Sequence, residues 1–149
     1  MRHLRLLACV LPVTALLSGC DEKLSDLTGP TPNLTTTLSS IQAQIFTNSD
    51  STGRRACASC HTDVGRTPSA GLNLKDGASF ASLVGRPSAR KPGATFVVPG
   101  DPDGSYLIQK LEAGRDIVGS RMPLGGPPYL TDGQLLVLRR WIALGAKND

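Results

Sequence analysis

A Cys-x-x-Cys-His run places the thiols of Cys57 and Cys60 three positions apart, with the imidazole of His61 directly after the second thiol. This spacing is typical of covalent haem attachment, in which two thiols add to the vinyl groups of haem and the adjacent histidine ligates the iron. The run occurs once in the chain. The sequence therefore predicts one haem c, held by Cys57 and Cys60 and ligated by His61.

Two other uses of a Cys-x-x-Cys pair fit this chain less well. A thioredoxin-like redox pair belongs to a βαβ unit, and no such alternation of strand and helix patterns surrounds Cys57. A structural zinc site takes four ligands. Once the leader described below is removed and Cys20 is taken by lipid, the motif has no further Cys or His to complete such a site.

The second axial ligand can be argued from the inventory of side chains. Without the leader, His61 is the only histidine and Met122 the only methionine, so a bis-histidine haem within one chain is impossible. Met122 lies in a long segment rich in Gly and Pro, and a thioether ligand raises the reduction potential of haem iron. We predict Met122 as the sixth ligand. The alternatives are a lysine ligand, an open site, or a methionine that only fills the core.

Haem propionates need hydrogen-bond donors, and each donor is equally well explained as a solvated surface group. No single residue is therefore predicted. The candidates are Arg90, Lys91, Arg115, Arg121 and Tyr129.

The first 19 residues are expected to be a signal peptide. Arg2 and Arg5 precede an apolar run that ends at Leu17, which is the charge order of an export signal. The alternative is a buried N-terminal helix.

The sequence at the end of this run, Leu-Ser-Gly-Cys, resembles a bacterial lipobox, in which cleavage precedes the cysteine and a diacylglycerol is added to its sulfur. We therefore expect Cys20 to be lipidated. The polar residues 20–37 contain Gly and Pro and are expected to form a flexible tether. The protein would then be attached to a bacterial membrane through its lipid, in the cell envelope, facing the periplasm or the exterior.

Composition limits the remaining possibilities. The chain has 149 residues, of which 40% are hydrophobic and 19% charged, which suits a single folded domain over 38–149. Removal of Arg2 and Arg5 lowers the formal net charge from +4 to +2. With 4% aromatic residues and no basic stripe, the chain gives no indication of nucleic-acid binding.

The apolar spacing predicts an all-α domain. We expect a first helix over 38–47 capped by Thr37, a short helix that ends at Gly85, and a helix from the Asp101 cap to Glu112. The apolar segment 96–98 is expected to be extended but unpaired, because no second strand is evident.

The last helix has the clearest signals. Thr131 and Gln134 fit a capping box, and Gly145 fits a C-terminal stop. Its apolar positions are expected to form two adjacent rows facing the core: Leu135, Leu138 and Ile142, and Val137, Trp141 and Leu144. Residues 114–130, before this helix, are expected to form a long loop of functional importance.

Several motifs resemble class I c-type cytochromes, and in particular the planctomycete-type cytochrome c domain. These are the Cys-x-x-Cys-His run, Val-Pro-Gly-Asp-Pro at 98–102 followed by Ser-Tyr-Leu at 105–107, Met-Pro at 122–123, and Trp-Ile-Ala-Leu-Gly-Ala at 141–146. The resemblance covers roughly residues 38–147. It implies a small helical domain wrapped around one haem with His61 and Met122 as axial ligands, and a function in electron transfer.

With both axial positions filled, the expected function is a lipid-anchored carrier of single electrons between redox proteins, with no small-molecule substrate. One alternative is a haem enzyme, or a sensor of peroxide or diatomic gas, in which Met122 is displaceable. Another is a fixed cytochrome subunit of a larger dehydrogenase or oxidase complex. The sequence does not separate this last possibility from a free carrier.

Overall fold

The computed structural model describes Gly29, Thr31 and residues 33–149. The predicted signal peptide and Cys20 lie outside the described residues. Within the described part, the chain is dominated by helix, and extended segments meet only at isolated bridges. No helix in that part is long and apolar enough to cross a membrane.

Five helices account for most of the regular structure of the described residues, and two short 3₁₀ turns accompany them. The turns are Cys57–Ser59 and Ser69–Gly71. In chain order the helices are α1 (Leu38–Ile41), a π-helix (Gln42–Thr47), α2 (Ser79–Leu83), α3 (Tyr106–Glu112) and α4 (Asp132–Ala143).

The first predicted helix is confirmed in extent but not in type. Thr37 caps α1 by accepting a hydrogen bond from the backbone N–H of Ser40 at 3.2 Å. The helix then widens into the π-helix Gln42–Thr47 and ends at Asn48. Hydrophobic periodicity does not distinguish a π-helix from a short α-helix, because both bury one face.

The packed domain begins earlier than residue 38. Leu34, which lies within the predicted tether 20–37, has only 2% of its surface exposed and belongs to the hydrophobic core. Thr31 is also buried and accepts a hydrogen bond from the α4 side chain of Gln134 at 3.2 Å. The description of these two residues as flexible tether is therefore wrong. Their burial depends on contacts with the core and with α4, which the polar composition of residues 20–37 does not reveal.

Helix α3 begins at Tyr106, with Ser105 as its N-cap, rather than after Asp101. The Asp101 carboxylate accepts from the backbone N–H of Gly104 at 2.8 Å, which caps a turn instead of a helix. Ser105 donates its hydroxyl proton to the Asp101 carbonyl at 2.7 Å and stabilises the same turn. Local side-chain hydrogen bonds of this kind compete with helix formation.

Segment 96–98 is extended as expected, but it is not unpaired. Val97 forms a parallel bridge with Val84, where the N–H of Val97 donates to Leu83 at 3.1 Å and the N–H of Gly85 donates to Val97 at 2.9 Å. Val97 is fully buried. The chain after α2 therefore supplies the pairing partner that the sequence pattern does not reveal.

Helix α4 closes the core. Both hydrogen bonds of the capping box between Thr131 and Gln134 are present, and Gly145 ends the helix region with a φ of +99°. Leu144 has 58% of its surface exposed, so its predicted place in the buried row is wrong. Ala146 is buried instead, because the chain turns back after Gly145 and its N–H donates to the Trp141 carbonyl at 2.9 Å.

Candidate haem site

Cys57, Cys60, His61 and Met122 line one cavity of about 520 Å³. Its walls are mainly apolar, and its volume is in the range of small-molecule and cofactor pockets. The remaining apolar and aromatic lining includes Ile45, Phe46, Leu72, Leu74, Phe96, Tyr106, Leu107 and Leu111. The fold thus brings the Cys-x-x-Cys-His run and the single methionine of the described chain to the same space.

The 3₁₀ turn at Cys57–Ser59 shapes the motif. The Cys57 carbonyl accepts from the backbone N–H groups of Cys60 at 3.3 Å and of His61 at 3.0 Å. Both thiols are free. Burial raises the pKa of the Cys57 thiol to about 11, against an opposing effect of the Arg54 charge. At neutral pH this thiol is therefore protonated.

The ring of His61 is held in one tautomer. Its Nδ1 lies 2.9 Å from the Ser69 carbonyl, which can only accept, so Nδ1 carries the proton. Burial lowers the pKa of His61, which favours the neutral ring, and its lone pair is then on Nε2. Metal-ligating histidines are commonly oriented by such a bond from the other ring nitrogen to a backbone carbonyl. The fold therefore favours the neutral ring with its lone pair on Nε2.

Met122 is half-buried, and its loop is fastened to α3. The Met122 N–H donates to the Lys110 carbonyl at 2.8 Å. The Lys110 ammonium donates to the carbonyl of Val118 at 2.9 Å and to that of Ser120. Arg121 donates from Nε to the Leu111 carbonyl at 2.7 Å. These bonds, which sequence reasoning missed, connect the long loop to the last turn of α3.

The charged residues that line the cavity are all cationic. They are Arg55, Arg90 and Lys110. Of the five propionate candidates named from the sequence, only Arg90 lines the cavity. The nearness of Arg55 to Cys57 in the chain was a signal that could have identified it; nothing in the sequence pointed to Lys110.

Two of the other candidates have different partners. Lys91 forms an ion pair with Asp116 at 2.7 Å. The guanidinium of Arg121 lies 4.0 Å from the centre of the Tyr129 ring. Both of these cations are therefore engaged on the protein surface or in the loop rather than at the cavity wall.

The described residues contain no group of three or more His, Cys, Asp or Glu side chains arranged to hold a metal ion. The chain matches no protein-family model, no curated protein and no solved structure. The resemblance to the planctomycete-type cytochrome c domain stays a prediction from the motifs.

Proposed function

We propose that the protein is a monohaem c-type cytochrome that transfers single electrons between redox proteins outside the cytoplasmic membrane. One observation carries the proposal: two thiols, an oriented imidazole and a thioether line the same apolar cavity. These are the side chains that covalent attachment and His/Met ligation of haem require. In this proposal the helical domain is cytochrome c-like and surrounds one haem.

The lining of the cavity fits haem in polarity as well as in ligands. Haem is a flat, mainly apolar ring with two carboxylates. The cavity offers apolar and aromatic walls, together with three cations and no Asp or Glu among its lining residues. Burial of apolar area favours the ring, and the cations favour the carboxylates.

The residues would have separate tasks around the cofactor. Cys57 and Cys60 would hold it covalently, while His61 and Met122 would ligate its iron. When bound, haem supplies an iron that cycles between the ferric and ferrous states. Buried side chains such as Phe46 and Phe96 would exclude water from the ring. With both axial positions occupied by protein, electrons rather than substrates would be exchanged.

Mass spectrometry and optical spectroscopy of the protein, expressed with a cytochrome c maturation system, test the proposal. We expect the mass of one covalently bound haem and, in the oxidised form, the thioether–iron charge-transfer band. A Cys57→Ser/Cys60→Ser variant should lack covalent haem. Absence of haem from the wild type would contradict the proposal. A bound haem without the thioether band, with rapid carbon monoxide binding, would support a displaceable Met122 and the sensor or enzyme alternative.

We further propose that a lipid on Cys20 attaches the domain to a membrane of the cell envelope. The support is the lipobox-like sequence alone, because Cys20 lies outside the described residues. Fractionation of cells that express wild type or Cys20→Ala tests this attachment. The wild type should be found with membranes and the variant in the soluble fraction, whereas equal membrane retention would contradict a lipid anchor.

A further inference from the structure

Arg54 is a fully buried cation that precedes the haem motif by three residues. Its guanidinium forms an ion pair with Asp50 at 2.8 Å. It also donates to four backbone carbonyls, those of Gln44, Ile45, Asn48 and Arg55, at 3.1–3.4 Å. A guanidinium with this many fixed acceptors cannot move away from its position without leaving buried carbonyls unsatisfied.

This cation lies close to the sulfur of Cys57, because both groups bind the same backbone carbonyl. The Ile45 carbonyl accepts both from Nη1 of Arg54 at 3.2 Å and from the Cys57 thiol at 3.5 Å. Ile45 and Cys57 also line the cavity. The positive charge is therefore separated by a single carbonyl group from the sulfur that would become a thioether.

The compensating carboxylate is held at a different nitrogen. Asp50 binds Nε of Arg54, whereas Nη1 donates to the carbonyls of Ile45 and Arg55. Asp50 also accepts from the backbone N–H of Thr52 at 3.0 Å, and Gln134 of α4 lies 3.5 Å from it. Asp50 does not line the cavity. Arg54 does not line it either, but its guanidinium shares the Ile45 carbonyl with the Cys57 thiol, so the positive member of the pair is the one connected to Cys57.

We propose that Arg54 is a positioning residue that raises the reduction potential of the haem attached at Cys57. Asp50 partly compensates the charge of Arg54 and so limits this increase in potential. This inference rests on the proposed function. When a redox partner donates one electron, ferric iron becomes ferrous and the haem loses one unit of positive charge. A nearby buried cation favours the less positive form, because charges interact strongly in a poorly solvated interior.

Spectroelectrochemical titration of the haem-loaded protein tests the inference with a matched pair of variants. Asp50→Asn removes the compensating charge and keeps one accepting oxygen, which can serve Thr52, while the bond from Nε of Arg54 to the second carboxylate oxygen is lost. Asp103→Asn makes the same change at the exposed Asp103–Arg139 ion pair, away from the cavity. We expect Asp50→Asn to shift the equilibrium toward the ferrous form at least threefold, or about 28 mV at 59 mV per tenfold change for one electron. Asp103→Asn should shift it by much less.

A second variant covers a failure of Asp50→Asn to fold. Asp50→Asn/Arg54→Gln leaves no isolated charge in the interior, and we expect it to lower the potential below that of the wild type. Circular dichroism and haem content show whether each variant is folded and loaded with haem. The potential of either folded variant is sufficient to test the role of Arg54. Potentials equal to that of the Asp103→Asn control, or shifts of opposite sign, would overturn the role of Arg54. Absence of covalent haem from the wild type would instead refute the proposed function.

Discussion

The sixth position of the proposed haem depends on one side chain. Met122 is half-buried at the cavity wall, and its backbone N–H is bound to the Lys110 carbonyl. Its neighbour Leu124 lines the same cavity but has 64% of its surface exposed and has no atom that ligates iron. Substitutions at these two positions can therefore distinguish ligation of the iron from simple filling of the cavity.

Met122→Leu should abolish the thioether–iron band and lower the reduction potential, because leucine keeps the apolar volume and removes the sulfur that raises the potential. Carbon monoxide should then bind rapidly to the reduced protein. Optical titration and gas-binding kinetics measure both effects. Leu124→Ala is the control and should keep the band. If Met122→Leu retains the band and the potential, Met122 is not the ligand.

The four residues proposed to hold haem could be named from the sequence because haem attachment and ligation use residue types that are rare in this chain, and the fold brings all four to one cavity. The sequence did not identify Arg54, since a single arginine beside another arginine carries no pattern of its own. Arg54 has its role only after the π-helix and the loop 48–55 bring five acceptors together around it. These contacts form only on tertiary folding, and they could not be predicted from the sequence.

At the level of elements, α4 was predicted most accurately because its N-terminus is specified by adjacent residues. Thr131 accepts from the Gln134 N–H at 3.2 Å, and the Gln134 side chain accepts from the Thr131 N–H at 3.0 Å. The start of α3 was predicted wrongly because Asp101 and Ser105 both resemble caps. Only the folded turn between them decides which of the two begins the helix.

Thr131→Ala should lower the free energy of unfolding by about 1 kcal/mol, the usual contribution of a threonine N-cap. Thr131→Ser is the matched control and should restore most of the loss, because serine retains the accepting oxygen. Urea denaturation followed by circular dichroism measures the difference. Equal stability of the wild type and the alanine variant would show that the capping box does not limit the stability of α4.

The attachment of the Met122 loop to α3 predicts a second effect. Lys110→Met keeps most of the chain length but removes the donors to Val118 and Ser120. Without them the loop should release Met122 more readily, so added imidazole should bind the haem about tenfold more tightly, which corresponds to ~1.4 kcal/mol.

Optical titration with imidazole measures this change. Arg115→Met is the control. Arg115 is an exposed cation of the same loop, and its side chain forms no hydrogen bond or ion pair with the described residues. Similar imidazole affinities for the two variants would contradict the role of Lys110 in holding the loop.

For the whole molecule, the described fold joins its two ends to the same core. Leu34 packs into the core near the beginning, and the Asp149 side chain accepts from the Leu38 N–H at 2.8 Å. The sequence pattern predicted a single helical domain but set its beginning too late. Burial of Leu34 depends on contacts with the rest of the folded chain, which no local pattern reports.

The cavity of about 520 Å³ makes the stability of this domain depend on what fills it. Protein interiors are closely packed, and a large apolar cavity is unfavourable unless a ligand occupies it. A group bound covalently in the native state stabilises the fold by replacing those missing contacts. The proposed haem would therefore be part of the core as well as the redox centre.

The Cys57→Ser/Cys60→Ser variant should consequently unfold at a temperature at least about 10 °C below that of the haem-loaded protein, since each kcal/mol shifts the midpoint by roughly 4 °C in a domain of this size. Thermal unfolding by circular dichroism measures the difference. Ala58→Ser, between the two cysteines, is the control and should keep both the haem and the midpoint. If the double variant lacks haem yet unfolds at the wild-type temperature, the cofactor does not contribute to the core, because its loss would have left the packing energy of the domain unchanged.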